Sequence, residues 1–349
     1  MGTGTLTIDL NAIVDNWRAL DAMSPPRVAT AAVVKADGYG LSARHVARKL
    51  TDAGVRQFFV AVAEEGAAVR RAVGPEPTIN VFSGHMAGDA ALLSRDNLIP
   101  MLNSIKQYAR HLQQLPGHPF GVQLDTGMNR LGMEPEEWAV AAGDMLEKEP
   151  ILMMSHLACA DDPGDPMNER QLMTFRRLTD GISVPRSLAA TGGILLGSHY
   201  HFDLTRPGIG IYGGAPFTTA KTVIRLSLPV IQVRTLTPGE SVGYGAAWTA
   251  RDHAEIATVS AGYADGFVRR LGDRAMLYSG DTPCRLAGRV SMDLLTVDVS
   301  HLDEAPDHLD LFCDAQNVER LAGAAGTINY EILTQLGGRY GRTYIGEAR

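Results

Sequence analysis

Short apolar segments recur along the first two hundred or so residues, at 27–35, 57–63, 78–84, 97–103, 119–125, 151–157, 186–191 and 206–213. They are continuous rather than alternating and rich in β-branched residues, the pattern of strands covered on both faces. Between most of them lie stretches such as "LSARHVARKLTDAG", "AEEGAAVRRAVG", "PEEWAVAAGDMLEKE" and "PMNERQLMTFRRLTD", where apolar residues return every three or four positions, as on one face of a helix. Eight such βα units predict a TIM (β/α)8 barrel rather than an open doubly wound sheet, because no glycine-rich nucleotide loop follows the first strand.

After about Gly214 the texture changes. "TVIRLSLPVIQVRTL", "HAEIATVS", "TPCRLAGRV" and "LLTVDVS" are strand-like and separated by Gly, Pro and Asp turns, which predicts a smaller, mostly β C-terminal domain. The expected division is 1–214 and 215–349, with the strand-like opening "TLTIDL" a candidate to pair with the second domain.

Composition narrows the function classes. The 349 residues, 45% hydrophobic and 20% charged, are ordinary globular protein. A formal charge of -7 without a basic cluster argues against a nucleic-acid partner. Cys159, Cys284 and Cys313 are odd in number and far apart, which gives no CxxC pair and fits the cytoplasm. No run is apolar enough to cross a bilayer and no leader pattern opens the chain, so a soluble, unprocessed protein is expected.

The chemistry centres on "VVKADGYG", which ends the first strand with Lys35. Active groups of these barrels gather at the carboxyl ends of strands, where a deprotonated lysine can bond a carbonyl carbon. Spacing alone slightly favours the plainer alternative, a Lys35 paired with a loop carboxylate such as Asp37, so the motif has to be weighed with what lies elsewhere. Gly38 and Gly40 allow a tight turn that aims the Tyr39 phenol over the barrel mouth. "GIGIYG", Gly208 to Gly213, satisfies GxGxxG, but no dinucleotide-type βαβ unit follows it. With Thr191-Gly192-Gly193 it instead occupies the loops after strands seven and eight, where backbone N–H groups can cradle a phosphate. No metal is expected: His199 and His201 would share a face only if "SHYHFD" were extended, and "DDPGDP", 161–166, lacks calcium-loop spacing and reads as a turn.

Together with "DTGMNRLG" after the fifth strand, "RPGIGIYG" at the eighth, and "VGYGAAW", "GYADG" and "GRVSMD" in the second domain, the chain resembles the alanine racemases, which use pyridoxal 5'-phosphate (PLP). The resemblance implies that Lys35 carries PLP covalently, that Tyr39, Thr191, Gly208 and Ile209 hold its phosphate, and that Arg206 faces the pyridine nitrogen. An arginine does not give up its proton, so the ring stays unprotonated and is a weaker electron sink. Racemisation needs a base on each face of the substrate. By resemblance these are Lys35 and Tyr244, the latter from the neighbouring subunit of a homodimer. A tyrosine with pKa about 10 needs help at neutral pH, which the family draws from a histidine matching His156. Arg130 and Met292 match substrate-binding positions, and Tyr263, Arg269, Arg289 and Asp161 match an entrance corridor. The implied activity interconverts L- and D-alanine in the cytoplasm and supplies D-alanine for peptidoglycan.

The chain also departs from the family. Gln123 stands where many members have a carbamate-bearing lysine that orients the substrate-binding arginine. A glutamine there can accept one hydrogen bond from Arg130, but without charge. In "SLAAT", Thr191 replaces a phosphate-binding serine, while Ser187 and Ala190 replace a histidine and an asparagine behind Arg206. Gly338 falls where a C-terminal tyrosine is common, and whether Tyr340 or Tyr344 substitutes is left open. These changes keep open a racemase of serine or of a broader range. A non-catalytic PLP-binding carrier is disfavoured, because a carrier has no need of a domain with "VGYGA".

Overall fold

The computed structural model describes residues 4–272 and 274–347. The chain forms two compact units: Ile13–Lys221, and the segment up to Ala12 together with that from Thr222 onward.

In the first unit seven strands pair in parallel and in chain order: Ala32–Val33, Gln57–Val60, Thr78–Val81, Leu98–Leu102, Gly121–Gln123, Met153–Met154 and Arg186–Ser187. Leu204–Thr205 pairs in parallel with Ala29–Thr30, and a parallel bridge joins Ala190 to Arg206, so the eighth segment closes the barrel between the first and the seventh. Phe58, Phe59, Ile79, Val81, Met101, Leu102, Val122 and Met153 are all buried. That two-sided burial is why these strands read as continuous apolar runs. The surrounding helices follow their periodicity. Ala43–Asp52 buries Ala43, Val46, Ala47 and Leu50, one face of a helix, and Val46 and Leu50 contribute about 2 kcal/mol each on burial. Pro166–Thr179 begins with proline at its first turn, under an Asp165 side chain that accepts from Met167 N at 2.8 Å.

One expectation is corrected. The run 206–213 is not a strand. Pairing stops at Leu204–Thr205 and the Arg206 bridge, and Ile209–Tyr212 is a 3-10 turn. Pro207 has no N–H for a ladder, and the amides of Gly208 and Gly210 both donate to Thr191 Oγ1, at 3.1 and 3.2 Å. Nor is "SHYHFD" extended: Ser198–Tyr200 is a 3-10 turn, and the His201 ring is engaged by Ile194 O at 3.0 Å and Ser24 Oγ at 3.0 Å. The barrel unit continues past Gly214 to Lys221, whose backbone is gripped twice by Asn16, with Lys221 N donating to Oδ1 at 2.7 Å and Nδ2 donating to Lys221 O at 3.0 Å.

The second unit is mostly β. Thr5–Asp9 lies between Ile224–Leu236, antiparallel to it, and Gly341–Ile345, parallel to it. Ile224–Leu236 also pairs with His308–Phe312 and Ala254–Val259, and the latter with Leu295–Asp298. Along the long strand Ile224, Leu226 and Leu228 are buried while Arg225 is exposed, the two-residue period of a sheet covered on one face. Met276–Ser279 and Thr282–Arg285 form a hairpin, and Val318–Ala325 and Asn329–Thr334 are the unit's two α-helices among the described residues.

Candidate active site

Lys35 follows directly on the first barrel strand, and the chain then turns left-handed: φ is 52° at Ala36, 51° at Asp37, 65° at Gly38 and 55° at Tyr39. That conformation costs about 1–2 kcal/mol at each residue other than glycine, and specific contacts hold it. Glu65 Oε1 accepts from Ala36 N at 2.8 Å and Oε2 from Ala61 N at 2.7 Å, while Asp37 Oδ1 accepts from Ala43 N at 2.8 Å. The carboxylate that acts electrostatically on Lys35 is therefore Glu65, and Asp37 serves the turn. The Lys35 amine sits 5.9 Å from the centroid of the Phe82 ring. Burial, and then repulsion from Arg130, push its pKa below the usual lysine value against the opposing pull of Glu65. A larger share of it is neutral, and hence nucleophilic, than of an exposed lysine.

The turn delivers Tyr39 onto Gly208. A Cβ at Gly208 would lie 2.3 Å from the Tyr39 phenol oxygen. The Tyr39 ring stacks on Tyr212 at 4.5 Å, and the Tyr212 hydroxyl donates to Val33 O at 3.0 Å. Thr191 opens the short turn Thr191–Leu195, and Ile209 opens Ile209–Tyr212. First-turn N–H groups of this kind have no partner within their own helix. Backbones approach closely here, since a Cβ at Gly210 would meet Thr191 Cγ2 at 2.6 Å and one at Gly192 would meet Ala160 O at 2.7 Å.

Arg206 is fully buried. Its Nη1 donates to Ser187 Oγ and its Nη2 to Ser155 O at 2.7 Å, and Ser187 in turn donates to Leu204 O. The altered "SLAAT" segment thus gives the arginine an acceptor that hands on to a main-chain carbonyl. Burial pushes the guanidinium pKa down to about 9, still cationic at neutral pH. His156, following the sixth strand, is held neutral, its pKa lowered to about 3 by burial and by the charges of Arg206, Arg130 and Lys35. It can therefore offer hydrogen bonds at neutral pH but not a positive charge.

Arg130 is exposed in the loop after the fifth strand. Asp125 N donates to Met133 O and Met133 N to Gln123 O, and Gly132 has φ of 112° where a Cβ would lie 2.6 Å from Asp125 N. The expected hydrogen bond from Arg130 to Gln123 is not made. Gln123 is buried, its Nε2 donates to Leu131 O at 3.3 Å, and its Oε1 has no partner.

The remaining candidates lie in the β unit. Tyr244, 70% exposed, lines a cavity of about 450 Å³ with Tyr263, Arg269, Val290 and Ser291. Arg289 packs against Gly245, where a Cβ would meet its Nη1 at 3.2 Å. Met292 is exposed, and its carbonyl accepts from Ala264 N at 3.0 Å. Asp161 is exposed in a turn of the barrel unit and takes part in none of these contacts. Tyr340 is buried and donates to Asp265 O at 3.3 Å. Sequence reading did not single out Glu65, Phe82, Ser155 or Arg339. The only signal was position, since Phe82 and Ser155 follow barrel strands and Glu65 opens a helix after one.

Residues 8–216 match the family model "Alanine racemase, N-terminal domain" and residues 223–344 "Alanine racemase, C-terminal domain". The alanine racemase of Dinoroseobacter shibae is 67% identical over 99% of each chain, and that of Rhizobium meliloti 43% identical over 98% of this chain and 97% of the relative. Among solved structures, alanine racemase from Bartonella henselae with covalently bound pyridoxal phosphate has a TM-score of 0.93 at 35% identity, covering 99% of this chain and 100% of that one. The biosynthetic alanine racemase from Pseudomonas aeruginosa has a TM-score of 0.91 at 36% identity, covering 99% of both. Matched in both domains and along nearly its whole length, this chain belongs to the alanine racemase family.

Proposed function

We propose that the chain is a PLP-dependent racemase that interconverts L- and D-alanine as a cytoplasmic homodimer and supplies D-alanine for the cell wall. The observation that carries this reading is Lys35, a half-buried amine of lowered pKa at the end of the first barrel strand, beside a cradle that leaves no room for a Cβ at Gly208. These residues fit PLP. Lys35 Nζ would hold the aldehyde carbon, Tyr39, Thr191 and the Gly208 and Ile209 amides the phosphate, and Arg206 the ring nitrogen.

Bound there, PLP supplies an electron sink that acidifies the α-proton of the amino acid. Arg130 and Met292 orient the substrate. Lys35 Nζ, unprotonated, takes the proton from one face and the Tyr244 phenol of the partner subunit gives one to the other, which leaves Lys35 protonated and Tyr244 deprotonated until exchange with solvent, or the reverse passage, resets both. The neutral His156 assists by hydrogen bonding. Support for a second copy comes from exposed apolar side chains that follow consecutive barrel strands, Val62, Met86, Ile105 and Leu131, and in the β unit from Tyr244, Tyr263, Met292 and Leu294. Surfaces of that kind mark interaction sites.

The unpartnered Gln123 Oε1 beneath the Arg130 loop favours a second reading, a range that extends to serine or larger amino acids. One experiment tests both. PLP-loaded protein is incubated separately with L-alanine, L-serine, L-lysine and L-arginine, and the D-enantiomers are quantified by chiral chromatography. D-alanine should form fastest. A different winner selects the second reading, and no product at all returns the non-catalytic carrier.

A further inference from the structure

We infer that Arg339 is a positioning residue which ties together the two loops presenting Tyr263 and Met292, and so sets the apparent affinity for the amino acid. The inference rests on the racemase reading above.

The Asp265 side chain is only 5% exposed and its carboxylate is fully used. Arg339 Nε donates to Oδ1 at 2.6 Å, Nη2 to Oδ2 at 2.7 Å, and Gly262 N to Oδ2 at 2.9 Å. The remaining arm, Nη1, donates to Asp293 Oδ1 at 2.7 Å. One planar guanidinium thus joins "GYADG", 262–266, to "SMDL", 291–294. The loops also meet directly: Tyr263 N donates to Ser291 O at 3.0 Å and Ala264 N to Met292 O at 3.0 Å, and a Cβ at Gly262 would lie 2.2 Å from Met292 O. The C-terminal segment closes the joint from behind, with Gly337 N on Asp265 O at 3.2 Å and a Gly266, at φ 97°, whose Cβ would meet Gln335 O at 2.3 Å.

Tyr263 and Met292 are themselves 45% and 52% exposed, so packing does little to fix them and their direction comes from the backbone of these loops. The two arms differ in kind. The fork onto buried Asp265 is a charge-assisted pair whose loss would leave a buried charge unpaired. The arm to half-exposed Asp293 adds little to folding stability, which leaves it a geometric role, holding one loop at a fixed distance from the other.

The test uses the PLP-loaded Asp293→Ala and Arg339→Lys variants. Asp293→Ala, which removes the acceptor of the Nη1 arm, should keep the wild-type melting temperature and PLP absorption, raise KM for L-alanine about fivefold, and change kcat less than twofold, the sign of lost binding rather than lost chemistry. Amides within 262–266 and 291–294 should exchange with deuterium faster by a similar factor. Arg339→Lys should raise KM further, and the double variant should be no worse than Arg339→Lys alone, because Asp293 acts through Arg339. Wild-type KM and exchange in Asp293→Ala, or additive effects in the double variant, would overturn the inference. Should Arg339→Lys fail to fold, Asp293→Ala alone decides it. Should the wild-type protein racemise nothing, the racemase reading fails instead, and the exchange measurement still decides whether Arg339 ties the loops.

Discussion

The Tyr39 phenol oxygen occupies the place where a side chain at Gly208 would begin, 2.3 Å from the position of a Cβ there. The phenol cannot easily retreat, since its ring is stacked on a buried Tyr212 that is anchored to Val33 O. Gly208→Ala should therefore displace Tyr39 and weaken PLP retention about tenfold or more, the equivalent of losing one hydrogen bond to a charged group. Titrating cofactor-free protein with PLP and following fluorescence measures this. Unchanged affinity would remove the pair from the cradle.

Lys35→Ala should abolish the absorption band of lysine-bound PLP and its bleaching by borohydride, while leaving the melting temperature close to wild type, since the half-buried amine makes no structural ion pair with Asp37. A band in the variant that borohydride still bleaches would move the attachment to another residue.

The barrel was legible because eight buried parallel strands cannot be written without eight apolar runs. The eighth strand lies just before the run expected for it, at Leu204–Thr205, and was misplaced because the glycines and β-branched residues of 206–213 look strand-like in isolation. The Gly208 and Gly210 amides in fact turn to Thr191 Oγ1 beside the end of the neighbouring strand, a contact far apart along the chain. Lys35 and Tyr39 could be found from a strand end and two glycines. Glu65, Ser155 and Arg339 could not, because each acts through backbone groups or carboxylates far away in sequence, and nothing in its local pattern marks it. Gln123 was visible as a departure, but its orientation toward Leu131 O rather than toward Arg130 depends on how the 125–133 loop folds back.

Gln123→Met should change folding stability by less than about 1 kcal/mol, because the single 3.3 Å bond it removes is offset by relieving an acceptor buried without a partner. Urea unfolding of both proteins checks this. A loss above about 2 kcal/mol would mean that the Oε1 atom has a partner in solution.

Tyr244→Phe should lose racemisation by about two orders of magnitude or more while retaining PLP, since Lys35 and the residues of the phosphate cradle are unchanged and only the phenol oxygen is removed. Exchange of the α-proton with solvent should survive from only one enantiomer, the one whose proton faces Lys35. Proton NMR of L- and D-alanine in deuterated buffer reads this directly. Near-normal racemisation would exclude the two-base scheme.

His156 gives the clearest pH dependence. Its folded-state pKa, about 3, lies below the ordinary 6.5, so between those values the unfolded chain binds more protons than the folded one. Stability is then complete above about pH 6.5 and falls as the pH drops towards 3, by at most about 1.4 kcal/mol per pH unit for this residue. His85 and His111, also lowered by burial, add to the decline in the same direction. Urea unfolding of cofactor-free protein at pH 7.5 and 5.5 should show the loss, and His156→Gln should show a smaller one. Equal losses in the two proteins would mean that His156 is solvated well enough to titrate normally, and the three cations around it would then have to be screened by water that reaches the barrel mouth.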